Sequence, residues 1–532
     1  MAETYDIVVA GAGHNSLVCA AYLAKAGLKV LVLEANSNIG GNTATEEVTL
    51  PGFKHDVACS AYVLLQASPT IRNDELGIVE KYGLKFIKPD PAVTMPFEDG
   101  TSLTMWQDLD RTVDEFAKFS KRDAEAYRRI ISEYDDIKSI FGRNRYTPVG
   151  YGPSLEEMLM ERPDGALWLQ RYKRSALEIV REYFEDEHSQ AFMLGLSSIT
   201  VQPIDRPFTG RLPYALVNGR QYNSWMTLVG GSGGFPNALA KSIEEENGTI
   251  LTNKKVVELI LEGGRCVGVV TADGESYRAE KAVVSTIHIR HLVDMAPHEA
   301  WGDTFYHTVE GWNPGFTFFV THYALSEPPL YPIGEERMPC VAGLMVGTGD
   351  DLIRLASDMK RGVPHLDPPL LLAVCSTVAD ESRTPHGGHT VKTISIQPYD
   401  LKDGGSEKWN EIKEETADVI LNHWRKFAPN LTDDVIQARL IESPLDMERR
   451  NLHNFRGSGH GGELSPAQAG AMRPVFGWAS HRMPIPGLYQ TGSTTHPGGS
   501  ATAGPGRNAA WVILEDLGTS LEAVIAGERL DE

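Results

Sequence analysis

The pattern of apolar and polar residues at the start of the chain predicts a strand, a helix and a second strand. An apolar run at residues 7–10 ends at Gly11, and small and apolar residues then recur at helical spacing over residues 17–23. A second apolar run, at residues 30–33, follows Gly27. The pattern therefore predicts one βαβ unit with parallel strands.

The period of the pattern changes further along the chain. Residues 249–285 form short alternating runs separated by glycine-containing turns, which is typical of an antiparallel meander. Residues 108–141 and 409–427 carry apolar side chains at helical spacing, so we expect one face of each segment to be buried. From residue 487 the chain returns to a strand, a glycine-rich turn and a helix over 508–517.

The turn between the first predicted strand and helix has the residues that a dinucleotide requires. Gly11 permits a sharp turn, and Gly13 permits the backbone to approach a pyrophosphate at a helix N-terminus, where N–H groups are free. Glu34 ends the next predicted strand, where a carboxylate accepts hydrogen bonds from ribose hydroxyls. Ser16 replaces the usual third glycine and is still small enough for a helix to pack closely on a sheet. The sequence therefore predicts a dinucleotide site at this turn.

Composition and charge narrow the set of partners. The chain has 532 residues, of which 42% are hydrophobic, and its formal net charge of -21 disfavours binding to nucleic acid. The five cysteines are far apart and show no zinc or redox spacing, which indicates a reducing, cytoplasmic location and no metal site. No apolar run reaches the ~20 residues that a membrane-spanning helix needs, and the acidic N-terminus is unlike a signal peptide.

Three further glycine-rich segments complete a specific set of motifs. They are Gly40-Gly41 after Glu34, the turn at residues 230–234 before a predicted helix, and the C-terminal segment 487–508. Together with the first turn and the meander, these segments resemble the phytoene-desaturase-like FAD-dependent oxidoreductases. The resemblance covers both ends and the middle of the chain, and it is thin over residues 60–215 and 300–440.

The resemblance implies a noncovalently bound FAD and a set of residues that hold it. The resemblance assigns Gly11, Gly13, His14 and Asn15 to the pyrophosphate, and Glu34 with Ala35 to the adenosine ribose. It assigns Gly40, Gly41, Asn42 and Thr43 to the ribityl side and Val256 to the adenine. It assigns Gly492, Ser493, Ala501 and Thr502 to the pyrophosphate and the pyrimidine edge. Asn42 departs from the pattern, because many relatives carry an arginine there.

The resemblance also implies the fold class and the domain boundaries. The fold class is α/β, with a Rossmann-like FAD-binding domain, in which a doubly wound parallel sheet carries an antiparallel meander, and an inserted α+β substrate domain. The expected FAD-binding domain is discontinuous and comprises residues 1–65, 220–300 and 470–532. Residues 66–219 and 301–469 are expected to form the substrate-binding domain.

The expected function is that of an FAD-dependent oxidoreductase, a desaturase or dehydrogenase that transfers a hydride from an apolar or amphipathic small molecule to flavin N5. The sequence has no paired redox cysteines and no second complete dinucleotide motif, so we expect dioxygen, a quinone or another carrier as electron acceptor. His460 and His496 are the catalytic candidates, since histidine accepts protons near neutral pH. The alternative role for His496, beside Pro497, is to stabilise a turn.

Other functions stay open at this point. They are a flavin-dependent amine oxidase, which acidic pocket residues would favour, a redox-neutral isomerase or hydratase that uses reduced FAD, and a nonenzymatic flavoprotein that serves as an interaction factor. A basic helix face contains Arg171, Lys173, Arg174 and Arg181. Such a face is compatible with a peripheral membrane contact, with a homo-oligomer contact or with simple solvation.

Overall fold

A computed structural model of the protein describes residues 4–198, 202–385 and 387–530. The strands are Thr4–Ala10 (β1), Val30–Leu33 (β2), Thr45–Glu46 (β3), His55–Asp56 (β4), Phe86–Ile87 (β5), Val93–Pro96 (β6), Ser102–Met105 (β7), Thr227–Leu228 (β8), Thr249–Leu251 (β9), Val256–Glu262 (β10), Arg265–Thr271 (β11), Ser276–Ser285 (β12), Phe318–Leu325 (β13), Leu330–Ile333 (β14), Glu336–Pro339 (β15), Ala342–Met345 (β16), Leu371–Val374 (β17), His389–Ile396 (β18), Ile436–Glu442 (β19) and Leu488–Gln490 (β20).

The α-helices connect and cover these strands. They are His14–Lys25 (α1), Pro69–Arg72 (α2), Leu109–Ala117 (α3), Lys121–Asp135 (α4), Lys138–Arg145 (α5), Leu155–Met160 (α6), Gly165–Lys173 (α7), Ala176–Tyr183 (α8), Glu187–Ser198 (α9), Leu212–Asn223 (α10), Gly234–Glu245 (α11), Ile289–Leu292 (α12), His298–Trp301 (α13), Asp303–Glu310 (α14), Gly349–Arg361 (α15), Trp409–Phe427 (α16), Pro444–Arg450 (α17), Gly504–Asp516 (α18) and Leu521–Ala526 (α19).

The first large sheet contains the first and the last strand of the described chain. Its strand order is β10-β11-β12-β1-β2-β9, and β20 also pairs with β12. Strand β1 lies parallel to both β2 and β12, whereas β10, β11 and β12 form an antiparallel meander. The predicted βαβ unit and meander are therefore confirmed. The prediction that residues 249–251 belong to the meander is wrong, because these residues form β9, which pairs in parallel with β2.

The second large sheet is built from the central part of the chain. Its strand order is β19-β13-β18-β17-β16-β6-β7, and most of its neighbours run antiparallel. One face packs against helices α3, α4, α8, α9 and α10, and the opposite face packs against α16. The predicted helix at 409–427 is present as α16, with Trp409 and Trp424 fully buried. The helical pattern over 108–141 resolves into three helices, α3, α4 and α5.

A buried arginine in the connection between β17 and β18 joins strands of two small sheets, β4 and β8. The Arg383 guanidinium donates to Asp56 Oδ2 at 2.7 Å and to Asp380 Oδ2 at 2.9 Å. It also donates to the hydroxyl of Thr227 and the carbonyl oxygen of Leu228. These bonds stabilise both carboxylates in their charged form, and the pKa values of Asp56 and Asp380 are lowered although burial alone would raise them.

None of the described helices is long and apolar enough to span a membrane. The basic helix face is largely paired: Arg171 is buried against Glu133 and Tyr183, Arg174 pairs with Glu182, and Arg181 pairs with Asp350. Within the described chain, this surface is therefore not an unpaired cationic stripe.

Helices α1 and α18 pack so closely that only glycine fits between them. A Cβ added at Gly506 would lie 2.2 Å from the carbonyl oxygen of Asn15 and 2.8 Å from Val18 Cβ. This contact joins the start of α18 to the first turn of α1. The N-terminal and C-terminal glycine-rich turns are held side by side as a result.

We expect Gly506→Ala to destabilise the protein, because the new methyl group overlaps the backbone of α1. Overpacking of this kind costs about 1–3 kcal/mol. Gly142→Ala is the matched control, since a Cβ on that helical glycine meets nothing within 4 Å and replacing a mid-helix glycine stabilises by about 0.5–1 kcal/mol. Urea unfolding followed by circular dichroism measures both. Equal stability of the two variants would contradict this packing.

Candidate functional site

The site lies in a cavity of about 530 Å³ between the two large sheets. One end is lined by the carboxyl ends of β1, β2 and β12 and by the C-terminal glycine-rich turn. The other end is lined by the second sheet, α10 and the segment at 58–64. A neighbouring recess shares Asn36, Gly41, Asn42 and the 449–451 segment with the cavity, so both belong to one site.

The first glycine-rich turn forms a cradle at the N-terminus of α1. Gly11 has φ +101°, and a Cβ there would lie 2.5 Å from Thr286 Cγ2. Gly13 precedes α1 without a side-chain cap, and the first turn of the helix carries no acidic residue. Ser16 is fully buried and donates to the carbonyl oxygens of Gly11 and Gly13, so it braces the turn from within. The helix terminus therefore offers uncapped N–H groups to an anion.

Two polar side chains at this turn, those of Asn15 and Glu34, line the cavity. Asn15 Oδ1 is buried and has no hydrogen-bond partner. Glu34 is 6% exposed and lines the cavity at the end of β2. Its carboxylate accepts from the backbone N–H of Ala12 at 2.8 Å and from that of Asn36 at 2.9 Å. Burial raises the pKa of Glu34 while these hydrogen bonds oppose the rise. This donor and acceptor set fits the pyrophosphate and ribose of FAD.

Asn42 connects the second glycine-rich loop to the segment after α17. Its Nδ2 donates to Asn454 Oδ1 at 2.7 Å, and its Oδ1 accepts from Asn451 Nδ2 at 3.3 Å. The arginines beside it in the cavity wall, Arg449 and Arg450, are paired with glutamates. Asn42 therefore forms an amide network with Asn451 and Asn454.

The C-terminal turn places the start of a second helix beside the first. Gly492 has φ +90°, and a Cβ there would lie 2.6 Å from Thr286 Oγ1, so Gly492 and Gly11 both pack against Thr286. Helix α18 begins at Gly504, has no acid in its first turn, and has only the Gly504 N–H bonded to a nearby side chain, that of Thr502. A helix N-terminus of this kind favours negative charge, as on the pyrimidine edge of a reduced flavin.

Most residues predicted from the sequence line this one cavity. They are Gly11, Gly13, His14, Asn15, Glu34, Ala35, Gly41, Asn42, Val256, His460, Gly492, Ser493 and Ala501. Gly40, Thr43, Thr502 and His496 do not line it. Gly40 donates its N–H to the carbonyl oxygen of Ala12, and Thr43 Oγ1 donates to that of Gly40, so these two residues brace the loop from behind. Thr502 Oγ1 accepts from the Gly504 N–H at the start of α18.

The two histidine candidates have different surroundings. His460 lines the cavity, with its ring 5.8 Å from that of Phe318 and its Nδ1 3.5 Å from Ser500 Oγ. His496 is buried, and its Nε2–H donates to the carbonyl oxygen of Asn144 at 2.8 Å. Burial lowers the pKa of His496 to about 4. This bond joins the C-terminal loop to α5, and His460 is the one of the two candidates that lines the cavity.

Sequence reasoning missed a third histidine, His453. It lines the cavity and contacts Ser493 Oγ through Nε2, while its buried Nδ1 has no partner. Burial lowers the pKa of both His453 and His14 to about 4, so both rings are neutral at neutral pH. No sequence pattern marked His453, because it comes from an irregular segment after α17.

The far end of the cavity is strongly apolar. Its lining consists of Ala61, Val63, Leu64, Leu216, Trp225, Phe318, Val320, Leu372, Ile394 and Met447, with Arg220 as the charged exception. Glu34, at the opposite end, is the one carboxylate in the wall of the cavity as far as the chain is described. The far end therefore has no acidic group to bind an ammonium ion.

The cysteines do not support disulfide chemistry. All five are free, and Cys59 is the one that lines the cavity. Its Sγ lies 3.5 Å from the carbonyl oxygen of Ala61, and burial raises the pKa of its thiol. A thiol with a raised pKa is a poor nucleophile. Next to it, Lys392 donates to the Ala58 carbonyl oxygen, and burial lowers the pKa of this lysine to about 8.

Known proteins resemble this chain over nearly its full length. A limonene dehydrogenase subunit of Castellaniella defragrans is 28% identical, with 97% of this chain and 95% of that protein covered. The mouse pyridine nucleotide-disulfide oxidoreductase domain-containing protein 2 is 29% identical, with 96% and 94% covered. A lycopene-forming phytoene desaturase of Pseudescherichia vulneris is 24% identical, with 96% and 99% covered. The resemblance to phytoene-desaturase-like FAD-dependent oxidoreductases, which we inferred from the motifs, is therefore confirmed.

A solved structure confirms the fold class. Cyclohexylamine oxidase from Brevibacterium oxydans superposes with a TM-score of 0.56 at 16% identity, covering 97% of this chain and 100% of its own. The family profile described as flavin containing amine oxidoreductase matches residues 17–304, more than half of the chain. FAD is accordingly the cofactor, and the chain belongs to the flavin containing amine oxidoreductase family as an FAD-dependent oxidoreductase.

Proposed function

We propose that this oxidoreductase removes a hydride from an apolar organic substrate and leaves a desaturated or oxidised product. The observation that carries the proposal is the apolar far end of the cavity, which contains no carboxylate among the described residues. FAD, when bound, supplies the hydride acceptor at N5. The apolar wall excludes water from the reacting bond and provides burial for a hydrocarbon.

The proposal assigns the polar end of the cavity to the cofactor. The uncapped start of α1, with Gly11, Gly13, His14 and Asn15, binds the pyrophosphate. Glu34 binds the adenosine ribose, and Val256 contacts the adenine. The loop at 40–43 lies along the ribityl chain, with Gly40 and Thr43 supporting it. Gly492, Ser493 and Ala501 lie at the pyrimidine edge, and Thr502 supports the turn that holds them.

His460 is our candidate for a proton acceptor beside the substrate. It is supported by its place in the cavity wall next to the ring of Phe318. His496 contacts the Asn144 carbonyl instead, so we propose no catalytic role for it.

The domain division also belongs to the proposal. The strands of the first sheet fall within residues 1–65, 220–300 and 470–532, and those of the second fall within 66–219 and 301–469. We propose that the first set binds FAD and that the second encloses the substrate. The electron acceptor in this proposal is dioxygen, a quinone or another carrier. Free cysteines throughout are compatible with the cytoplasm as the location.

Amine oxidation is the second candidate, because the matching family is named for amine oxidoreductases and the superposed structure is a cyclohexylamine oxidase. A protonated amine needs a nearby carboxylate or an aromatic cage to replace its hydration. The far end of the cavity has Trp225 and Phe318 but also a cationic arginine. Repulsion by that cation makes amine oxidation the weaker candidate.

Glu34→Gln should weaken FAD binding by roughly ten- to a hundredfold, because hydrogen bonds to a charged group are worth about 1.5–3 kcal/mol. The measurement is a titration of the apoprotein with FAD, followed by flavin fluorescence. Glu258→Gln is the matched control, since Glu258 is exposed on β10 and makes no ion pair in the described structure. A dissociation constant that Glu34→Gln leaves unchanged would remove Glu34 from the cofactor site.

Anaerobic reduction of the flavin tests the substrate class. We expect an apolar compound from a series of polyenes, cyclic hydrocarbons and their oxygenated derivatives to bleach the oxidised flavin band. Alkylamines of matched length should leave it unchanged. Bleaching by amines alone would replace the proposal with amine oxidation, and mass spectrometry of the product separates dehydrogenation from a redox-neutral isomerisation.

A further inference from the structure

Helix α10 places a cationic side chain in the apolar end of the cavity. Arg220 lies near the C-terminal end of this helix and lines the cavity with Leu216 and Trp225. Its guanidinium carbon is 5.1 Å from the centre of the Trp225 ring. Burial lowers the pKa of Arg220 to about 10, which leaves the side chain charged at neutral pH. A full positive charge therefore faces an otherwise apolar space.

This charge has no counterion in the described structure. Arg220 Nη1 donates to the carbonyl oxygens of Leu196 at 3.1 Å and Leu216 at 3.3 Å. Its Nε is buried and donates to nothing. No ion pair forms between Arg220 and any carboxylate of residues 4–198, 202–385 or 387–530. Buried charges are normally paired, because removing an ion from water is unfavourable unless a partner compensates.

Arg220 is half-buried because it lines the cavity, and the more deeply buried arginines show how a cation is compensated in this protein. Arg383 pairs with Asp56 and Asp380, and Arg507 pairs with Glu75 through two nitrogens. Arg473 has no carboxylate partner, but it donates to backbone carbonyl oxygens through its Nε, Nη1 and Nη2. Arg220 differs from these arginines because a buried N–H of its guanidinium is left without an acceptor.

We propose that Arg220 binds the carboxylate of an otherwise apolar substrate. The inference rests on the proposed function and specifies its substrate as an apolar carboxylic acid. A guanidinium recognises carboxylates well, because it offers several N–H donors in one plane. The carboxylate supplies the missing counterion, and the side chains of Phe318, Val320 and Ile394 enclose the hydrocarbon part. The same charge repels a substrate with an ammonium group.

The test compares three probes of equal chain length on the FAD-loaded protein: decanoate, 1-decanol and decylamine. Isothermal titration calorimetry measures their affinities. We expect decanoate to bind at least tenfold more tightly than 1-decanol, and decylamine to bind more weakly than both. Arg220→Gln should remove this preference for the acid and change the affinity for 1-decanol by less than twofold.

Two further variants separate charge from structure. Arg220→Lys retains the cation and should preserve part of the preference for decanoate. Arg211→Gln, at the other end of α10 and outside the cavity wall, should leave all three affinities unchanged. If Arg220→Gln fails to fold, the wild-type probe series and Arg220→Lys still decide the outcome.

Equal binding of decanoate and 1-decanol to the wild-type protein would overturn the role of Arg220. So would a preference for the acid that persists in Arg220→Gln. The proposed function fails in a different way, when no apolar compound of any head group bleaches the flavin anaerobically. Bleaching by neutral hydrocarbons without any preference for acids would leave the oxidoreductase proposal standing and remove the Arg220 proposal alone.

Discussion

The hydrogen bond between the Glu34 carboxylate and the Ala12 N–H is the constraint on which the site depends. It holds the end of β2 against the turn that follows β1, so that the acid and the uncapped start of α1 face one cavity. Gly506 then permits α18 to pack on α1, which brings the C-terminal turn to the same place. These contacts therefore position three separated segments of the chain around one cavity.

The cavity changes from polar to apolar along its length, and this change supports the proposed roles of the two sheets. At the first sheet it is lined by glycines, amides and one carboxylate, which suit a dinucleotide. At the second sheet it is lined by aliphatic and aromatic side chains around Arg220. In the proposed function, a substrate at this apolar end lies beside the cofactor, where few polar groups hold water.

Sequence reasoning predicted residues that line the polar end of the cavity, because their signals are local. Gly11, Gly13 and Glu34 stand at fixed spacings within one βαβ unit, so a single stretch of sequence shows the whole pattern. It could not find Arg220 or His453, since their role depends on which distant elements surround them. For His496, the local sequence pointed to a role that the surroundings do not favour. Its place in a glycine-rich loop made it a catalytic candidate, whereas its Nε2–H donates to a carbonyl oxygen of α5. Strand β9 was misassigned for the same reason, as its partner β2 is far away in sequence.

A crystal structure of the FAD-loaded protein tests the central claim most directly. The account predicts that the pyrophosphate lies at the N-terminus of α1, the ribose hydroxyls contact Glu34, and the flavin ring lies between the C-terminal turn and the apolar end of the cavity. A cofactor bound elsewhere, or a cavity whose apolar end is filled by the adenine instead of facing the flavin, would contradict it.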